Sequence, residues 1–251
     1  MSNIPSPSRR LFLSVPVHDV TYAETLDWIA RAVAADEPRQ LCTVNPEFVM
    51  TAQTHAEFRR VLQNADICLP DGQGLLWAAR WRGVALRERV AGSTLLGRLA
   101  ECAATHGWRM FFLGAAPGVA ARAAAVLERK HHGLPEIRTM EGGPRPEQAA
   151  QIIERVRAAR ADILLVAFGA PTQELWIDRY GDDLRVPVII GVGGAFDFVA
   201  GVTPRAPLWV QRLGMEWLHR LCMQPWRWRR MLALPRFVWA ILSQPNAVLR
   251  G

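Results

Sequence analysis

The chain has 251 residues, half of them hydrophobic and 21% charged, with a formal net charge of +7. That balance excludes a disordered chain and suits one α/β domain carrying an appendage. No apolar run approaches the roughly 18 residues that a membrane-spanning helix needs, and four scattered cysteines (Cys42, Cys68, Cys102, Cys222) without CxxC spacing read as reduced, buried thiols.

After Arg9-Arg10 comes an apolar stretch too short for a signal peptide. Short apolar runs then predict strands over residues 11–17, 40–44, 67–69, 109–113, 163–168 and 186–192. Helical periodicity between them predicts helices over 22–34, 46–64, 72–82, 93–106, 118–131, 146–159 and 172–180. Strand–helix alternation with glycine at the strand exits predicts an α/β fold over residues 1–203: a Rossmann-like, mostly parallel sheet flanked by helices. Ligands of such sheets lie beyond the carboxyl ends of the strands, so the loops there are the places to look for a site.

Five loops stand out. Thr43-Val44-Asn45 precedes Pro46 and reads either as a helix cap or as a hydroxyl and an amide gripping sugar hydroxyls. Asp71, in Pro70-Asp71-Gly72-Gln73-Gly74, leaves an apolar strand. It is either a helix cap or a general base toward a hydroxyl, with the glycines admitting a bulky substrate. Gly114-Ala115-Ala116-Pro117-Gly118 suits a phosphate on backbone N–H groups but matches neither GxGxxG nor a P-loop. In Gly169-Ala170-Pro171-Thr172-Gln173-Glu174, either Thr172 caps a helix or Gln173 reaches into the cleft. Gly191-Val192-Gly193-Gly194 allows close backbone approach to a ligand, and Asp197 can meet a ribose hydroxyl. There is no DxD, and the six histidines show no HxxxH or HExxH spacing, so no metal site is expected; His131-His132 read as a solvated helix end.

Beyond Thr203-Pro204-Arg205-Ala206-Pro207 the pattern changes, and residues 204–251 are expected to form a helical appendage with helices at 208–223 and 226–242. From Arg205 onward eight arginines face one acid, Glu216, whereas the preceding residues are neutral in sum. Five of the ten tryptophans are here: Trp209, Trp217, Trp226, Trp228 and Trp239. Trp209, Leu213, Trp217 and Leu221 recur every fourth residue, and Glu216 is spaced to pair with Arg220. Arginine forks beside indoles suit an anionic, partly apolar surface, such as lipid headgroups or a lipid-linked phosphate. A nucleic-acid patch is the competing reading, disfavoured because the arginines are embedded in Leu, Met and Trp at helical spacing.

Taken together, these loops resemble the WecG/TagA/CpsF family of bacterial glycosyltransferases, from about Leu11 to Leu242. The matching signatures are Thr43-x-Asn45, Asp71-Gly72-x-Gly74, Arg89-Val90-x-Gly92, Phe112-Leu113-Gly114, Gly169-x-Pro171-x-Gln173-Glu174, Gly191-x-Gly193-Gly194-x-Phe196-Asp197, Arg205-Ala206-Pro207 and Glu216-Trp217-x-x-Arg220. The resemblance implies an inverting, metal- and cofactor-independent transfer from a UDP-sugar to a polyprenyl-diphosphate-linked sugar, in cell-surface polysaccharide synthesis. The donor is expected to carry N-acetylmannosamine, or else glucose or another hexose. It implies Asp71 as catalytic base and Thr43, Asn45, Arg89, Gln173, Gly191, Gly193, Gly194, Asp197, Arg220, Arg227 and Arg230 as substrate-binding residues. It also implies a peripheral location on the inner face of the cell membrane, through an appendage that closes the site. Thr94 departs from the pattern, since the family usually has Asp there. The alternative is a non-catalytic membrane or lipid-phosphate module that keeps a nucleotide-sugar pocket. The apolar helix faces of the tail also allow a homo-oligomer; no nucleic-acid partner is expected.

Overall fold

The computed structural model describes residues 4, 7–204, 206–207, 210, 215–223, 225, 228–244 and 246–250. The chain opens with an antiparallel hairpin, β1 (Arg9–Phe12) and β2 (Val15–His18). A single strand was expected over 11–17; instead Leu13 and Ser14, both at positive φ (48° and 72°), turn the chain between two strands. Neither is an Asn or Gly of the usual hairpin signal, so nothing local marks that turn.

Next come α1 (Tyr22–Ala35), β3 (Arg39–Val44), α2 (Pro46–Thr54), α3 (Ala56–Asn64), β4 (Ile67–Pro70), α4 (Gln73–Trp81), α5 (Gly92–His106) and β5 (Met110–Gly114). They are followed by α6 (Val119–Lys130), β6 (Arg138–Met140), α7 (Pro146–Ala159), β7 (Ile163–Ala167), α8 (Thr172–Leu184), β8 (Val188–Gly191) and α9 (Ala195–Val199). Local chemistry sets several boundaries. A capping box between Thr21 and Glu24 starts α1, and the Asn45 side chain with Pro46 starts α2. The helix expected over 46–64 is two helices, because His55 ends the first and its ring Nδ1 accepts the Phe58 N–H to cap the second.

Strands β4-β3-β8-β7-β5-β6, in that order, form one sheet whose neighbours all run parallel. Its strands are apolar almost throughout because both faces are covered. On one face Leu41, Phe112, Leu165 and Ile190 meet α1, α5, α6 and α9. On the other, α7 and α8 cover Leu164, Val166 and Ile189, while α2, α3 and α4 cover Cys42, Val44 and Cys68. The Rossmann-like architecture is thus as expected, with β6 added: an exposed three-residue edge without an apolar pattern to reveal it. The hairpin leans on the β4 edge, where His18 Nδ1 accepts the Cys68 N–H at 2.9 Å. Burial holds the pKa of His18 down to about 4, which keeps that ring neutral and able to accept.

The tail contributes α10 (Glu216–Met223), α11 (Trp228–Met231), α12 (Ala233–Ser243) and β9 (Val248–Arg250). α12 buries Phe237, Ala240 and Ile241 in the cluster containing Phe12, Val44, Phe48 and Leu75. β9 pairs antiparallel with β1, so the end of the chain is stitched to its beginning. Arg82 adds side-chain bonds to the carbonyls of Ile241 and Gln244. Of the predicted apolar stripe, Trp209 and Leu213 lie outside the described residues, and Trp217 is exposed. Cys42 and Cys68 are buried as expected, but Cys102 is only partly so and Cys222 is exposed. Among the described residues no helix is long and apolar enough to cross a membrane.

Candidate active site

Strands β3 and β8 are neighbours, yet the chain leaves them toward opposite faces: α2 packs on one side of the sheet and α9 on the other. A crevice must open between two such exits. It is a cleft of about 500 Å³ over the carboxyl ends of β3, β4, β7 and β8, and residues of the tail line its far side.

The strand exits and the segment leading into α5 supply its polar wall: Thr43, Asn45, Asp71, Arg89, Ser93 and Gln173, with Gly193 and Gly194 beneath. Asp71 directly follows β4, and its Oδ2 accepts the Gly92 N–H, the first amide of α5, at 3.3 Å. Asn45 Oδ1 caps α2 by accepting the Phe48 N–H at 3.1 Å; the capping reading therefore holds while the residue also faces the cleft. Thr43 is buried and donates its hydroxyl to the Gly191 carbonyl at 3.2 Å. Gln173 is 2% exposed, and its Oε1 accepts the N–H groups of Gly169 and Gly193, both at 3.1 Å. It ties two strand exits together as well as lining the cleft.

Several glycines have reasons other than a ligand. A Cβ on Gly72 or Gly74 would meet the Pro46 ring at 3.1 or 2.9 Å, so these glycines let α4 start against α2. A Cβ on Gly191 would come within 2.6 Å of the side chains of Gln173 and Glu174; Gly191 lies behind the cleft and does not line it. Asp197, on α9, is also absent from the walls. The turn at 114–118 lies away from the cleft, and its Gly118 N–H is taken by the Glu141 carboxylate at 2.8 Å.

Opposite stands an apolar wall of Phe48, Trp77, Leu234, Pro235, Phe237 and Val238 from α2, α4 and α12. Among the described residues, two ion pairs join core to tail across the cleft. Arg89 donates to Glu216 of α10 at 3.1 Å, and Arg230 of α11 donates to Glu47 of α2 at 2.5 Å. The Arg227 residue and the Arg220 side chain lie outside the described residues, so the structure gives no geometry for them or for a Glu216–Arg220 pair.

The family model for the glycosyl transferase WecG/TagA/CpsF family matches residues 10–249. The chain belongs to this family. An N-acetylglucosaminyldiphosphoundecaprenol N-acetyl-beta-D-mannosaminyltransferase of Bacillus spizizenii is 35% identical over 207 residues, which are 82% of this chain and 80% of that protein. Its counterpart in Bacillus subtilis is 31% identical over 204 residues, 81% of this chain and 79% of the relative. In this glycosyltransferase Thr94, the departure from the family pattern, hydrogen-bonds the Tyr22 hydroxyl, while its neighbour Ser93 faces the cleft. Sequence reasoning missed Ser93, Trp77 and Glu47 as site residues, and it spaced Glu216 against Arg220 rather than Arg89. Trp77 had a signal, since it and Trp81 stand one turn apart on α4 and both are at least half exposed. The ion pairs had none, because Arg89 and Glu216 are 127 residues apart in the chain and Glu47 and Arg230 are 183.

Proposed function

We propose that this transferase moves N-acetylmannosamine from UDP to a polyprenyl-diphosphate-linked GlcNAc. One observation carries the reading: a strand-end carboxylate, Asp71, and two arginines, Arg89 and Arg230, share one cleft with an apolar wall. The named activity of the two relatives, matched over about four-fifths of their length, supports the choice of sugars.

The acceptor hydroxyl oxygen bonds to the anomeric carbon while Asp71 takes its proton, and the bond from that carbon to the diphosphate oxygen breaks. The electron pair leaves with UDP, so the configuration inverts. A positioned base contributes about 10²–10⁴ in rate. Charge growing on the diphosphate is met by Arg89 and Arg230, which exchange Glu216 and Glu47 for phosphate oxygens; Arg220 and Arg227 join them on the strength of the family pattern. Gly193 and Gly194 let the donor lie close to the backbone, and Thr43, Asn45 and Gln173 shape its berth. Gly191 supports Thr43 and Gln173 from behind, its carbonyl accepting the Thr43 hydroxyl and its bare Cα leaving room for Gln173.

Residues 204–251 act as the appendage that closes the site and meets the inner face of the cell membrane. Exposed Trp217, Trp228 and Trp239 in the tail, with Trp77 and Trp81 of α4, support that placement. The same apolar faces can pair two copies in the absence of lipid, which mass measured with and without vesicles would show.

The deciding measurement is UDP release from a panel of UDP-sugars with polyprenyl-diphosphate-GlcNAc as acceptor, in EDTA. Acceptor-dependent release with UDP-N-acetylmannosamine is expected. Preference for another donor would overturn the sugar assignment, and release that needs added metal would overturn charge compensation by arginine alone.

A further inference from the structure

Behind the cleft lies a charged residue type that the mechanism above does not use. Glu174 is 0% exposed, directly follows Gln173 on α8, and accepts that residue's Nε2–H on Oε1 at 2.7 Å. Its own Oε2 is buried with no hydrogen-bond partner. Gln173 in turn holds Gly169 and Gly193 with its oxygen, so one amide joins the β7 exit, the β8 exit and the Glu174 carboxyl. The lack of a Cβ on Gly191 leaves the space that both side chains occupy.

An amide can be placed either way round, and its bonding partners decide which. With Gln173 flipped, its NH₂ would face the two N–H donors of Gly169 and Gly193, so those amides hold its oxygen toward the loops and leave its NH₂ for the Glu174 carboxyl. We propose that Glu174 is a positioning residue for sugar transfer: it anchors the NH₂ end of the Gln173 amide, and through it the spacing of the Gly169 and Gly193 loops that form the donor's berth. The inference rests on the transferase reading for its effect on turnover, but not for its structural content. Burial raises the Glu174 carboxyl to about 8, so it serves as a neutral acceptor and no charge is stranded under the sheet. Cys42 of β3 is the titratable group facing it; the Cys68 thiol beside Cys42, together with burial, pushes the Cys42 thiol well up, so it stays neutral as well.

The test compares wild type, Glu174→Gln and Glu174→Met in the full chain, by amide hydrogen exchange without substrate and by steady-state kinetics. Met keeps the volume and removes the acceptor; Gln keeps the acceptor without the acid. Met is expected to speed exchange at Gly169 and Gly193 about tenfold or more while the β7 and β8 core amides stay protected. It should also raise KM for the UDP-sugar about tenfold, with a smaller fall in kcat. Gln should stay near wild type in both readouts. A Met variant that matches wild type, or a Gln variant as impaired as Met, overturns the proposal. If Met loses its cooperative melting transition, the wild type alone decides. A Gln173 side-chain NH₂ protected from exchange supports the clamp, and one that exchanges like a surface amide overturns it. Absence of turnover in every form, with protected Gly169 and Gly193 amides, would overturn the transferase reading while leaving the clamp intact.

Discussion

The polar wall of the cleft hangs on four strands hydrogen-bonded to one another, whereas the apolar wall hangs on helices held by side-chain packing. Asp71 is one residue beyond β4, Asn45 one beyond β3 and Gly193 two beyond β8, so the sheet register sets their spacing. Phe237 and Val238 owe their place to α12 lying against α2 and α4. Groups that must meet reacting atoms with sub-ångström error belong on the first kind of support. A wall that only has to exclude water and hold apolar chain can rest on the second.

The largest test of that division is Asp71→Asn. Turnover is expected to fall about 10²–10⁴-fold, with UDP affinity and melting temperature unchanged. A loss of UDP binding instead would make Asp71 a brace for the Gly92 amide rather than the base. Next comes Arg230→Ala, because Arg230 is a charged group of the cleft carried by the helical side. If it stabilises the leaving diphosphate, kcat should drop about 10²–10³-fold; a defect confined to vesicle binding would assign Arg230 to the membrane and return all the chemistry to the core. Trp77→Ala probes the apolar wall itself. Loss of that half-exposed ring should raise KM for a long-chain polyprenyl acceptor roughly ten- to thirtyfold, about 1.4–2 kcal/mol, and leave a short-chain acceptor unaffected. Equal effects on both acceptors would show that the two walls do not divide the work.

Chain-local signals account for what was readable. β7 is an unbroken apolar run, α7 carries its helical period between Pro146 and Ala159, and Asp71 ends a strand beside glycines; each feature lies within a few residues of its cause. The turns after β5 and after β8 look alike as sequence, yet one faces Glu141 and the other floors the cleft. Only the strand order separates them, and strand order is a long-range property. The same holds for β9, which needs β1 as its partner, and for the pairing of Arg89 with Glu216. Gln173 was legible as a site residue, but the acid next to it was not, because burial of a Glu leaves no mark in composition or period.

That buried acid also gives the support of the polar wall its own response to pH. In the unfolded chain Glu174 titrates at the ordinary 4.5, and in the fold burial raises it to about 8. Between those values the native protein holds a proton that the unfolded chain has released, so stability from this group is fully present below about 4.5 and falls as pH rises through 8. His18 has the opposite sign: neutral in the fold down to about 4, against 6.5 unfolded, it lowers stability only as pH drops below about 6.5. From roughly pH 6.5 to 8 the Glu174 contribution therefore stands apart from that of His18, with a slope of at most about 1.4 kcal/mol per pH unit. Denaturant unfolding of wild type and Glu174→Gln across that interval should show wild type losing stability relative to the variant, because Gln carries no proton to release. Parallel curves would mean that Glu174 is ionised in the fold and balanced by a cation. A wild-type curve that falls relative to the variant's would place the pH sensitivity beneath the polar wall, under the same amide that sets the donor's berth.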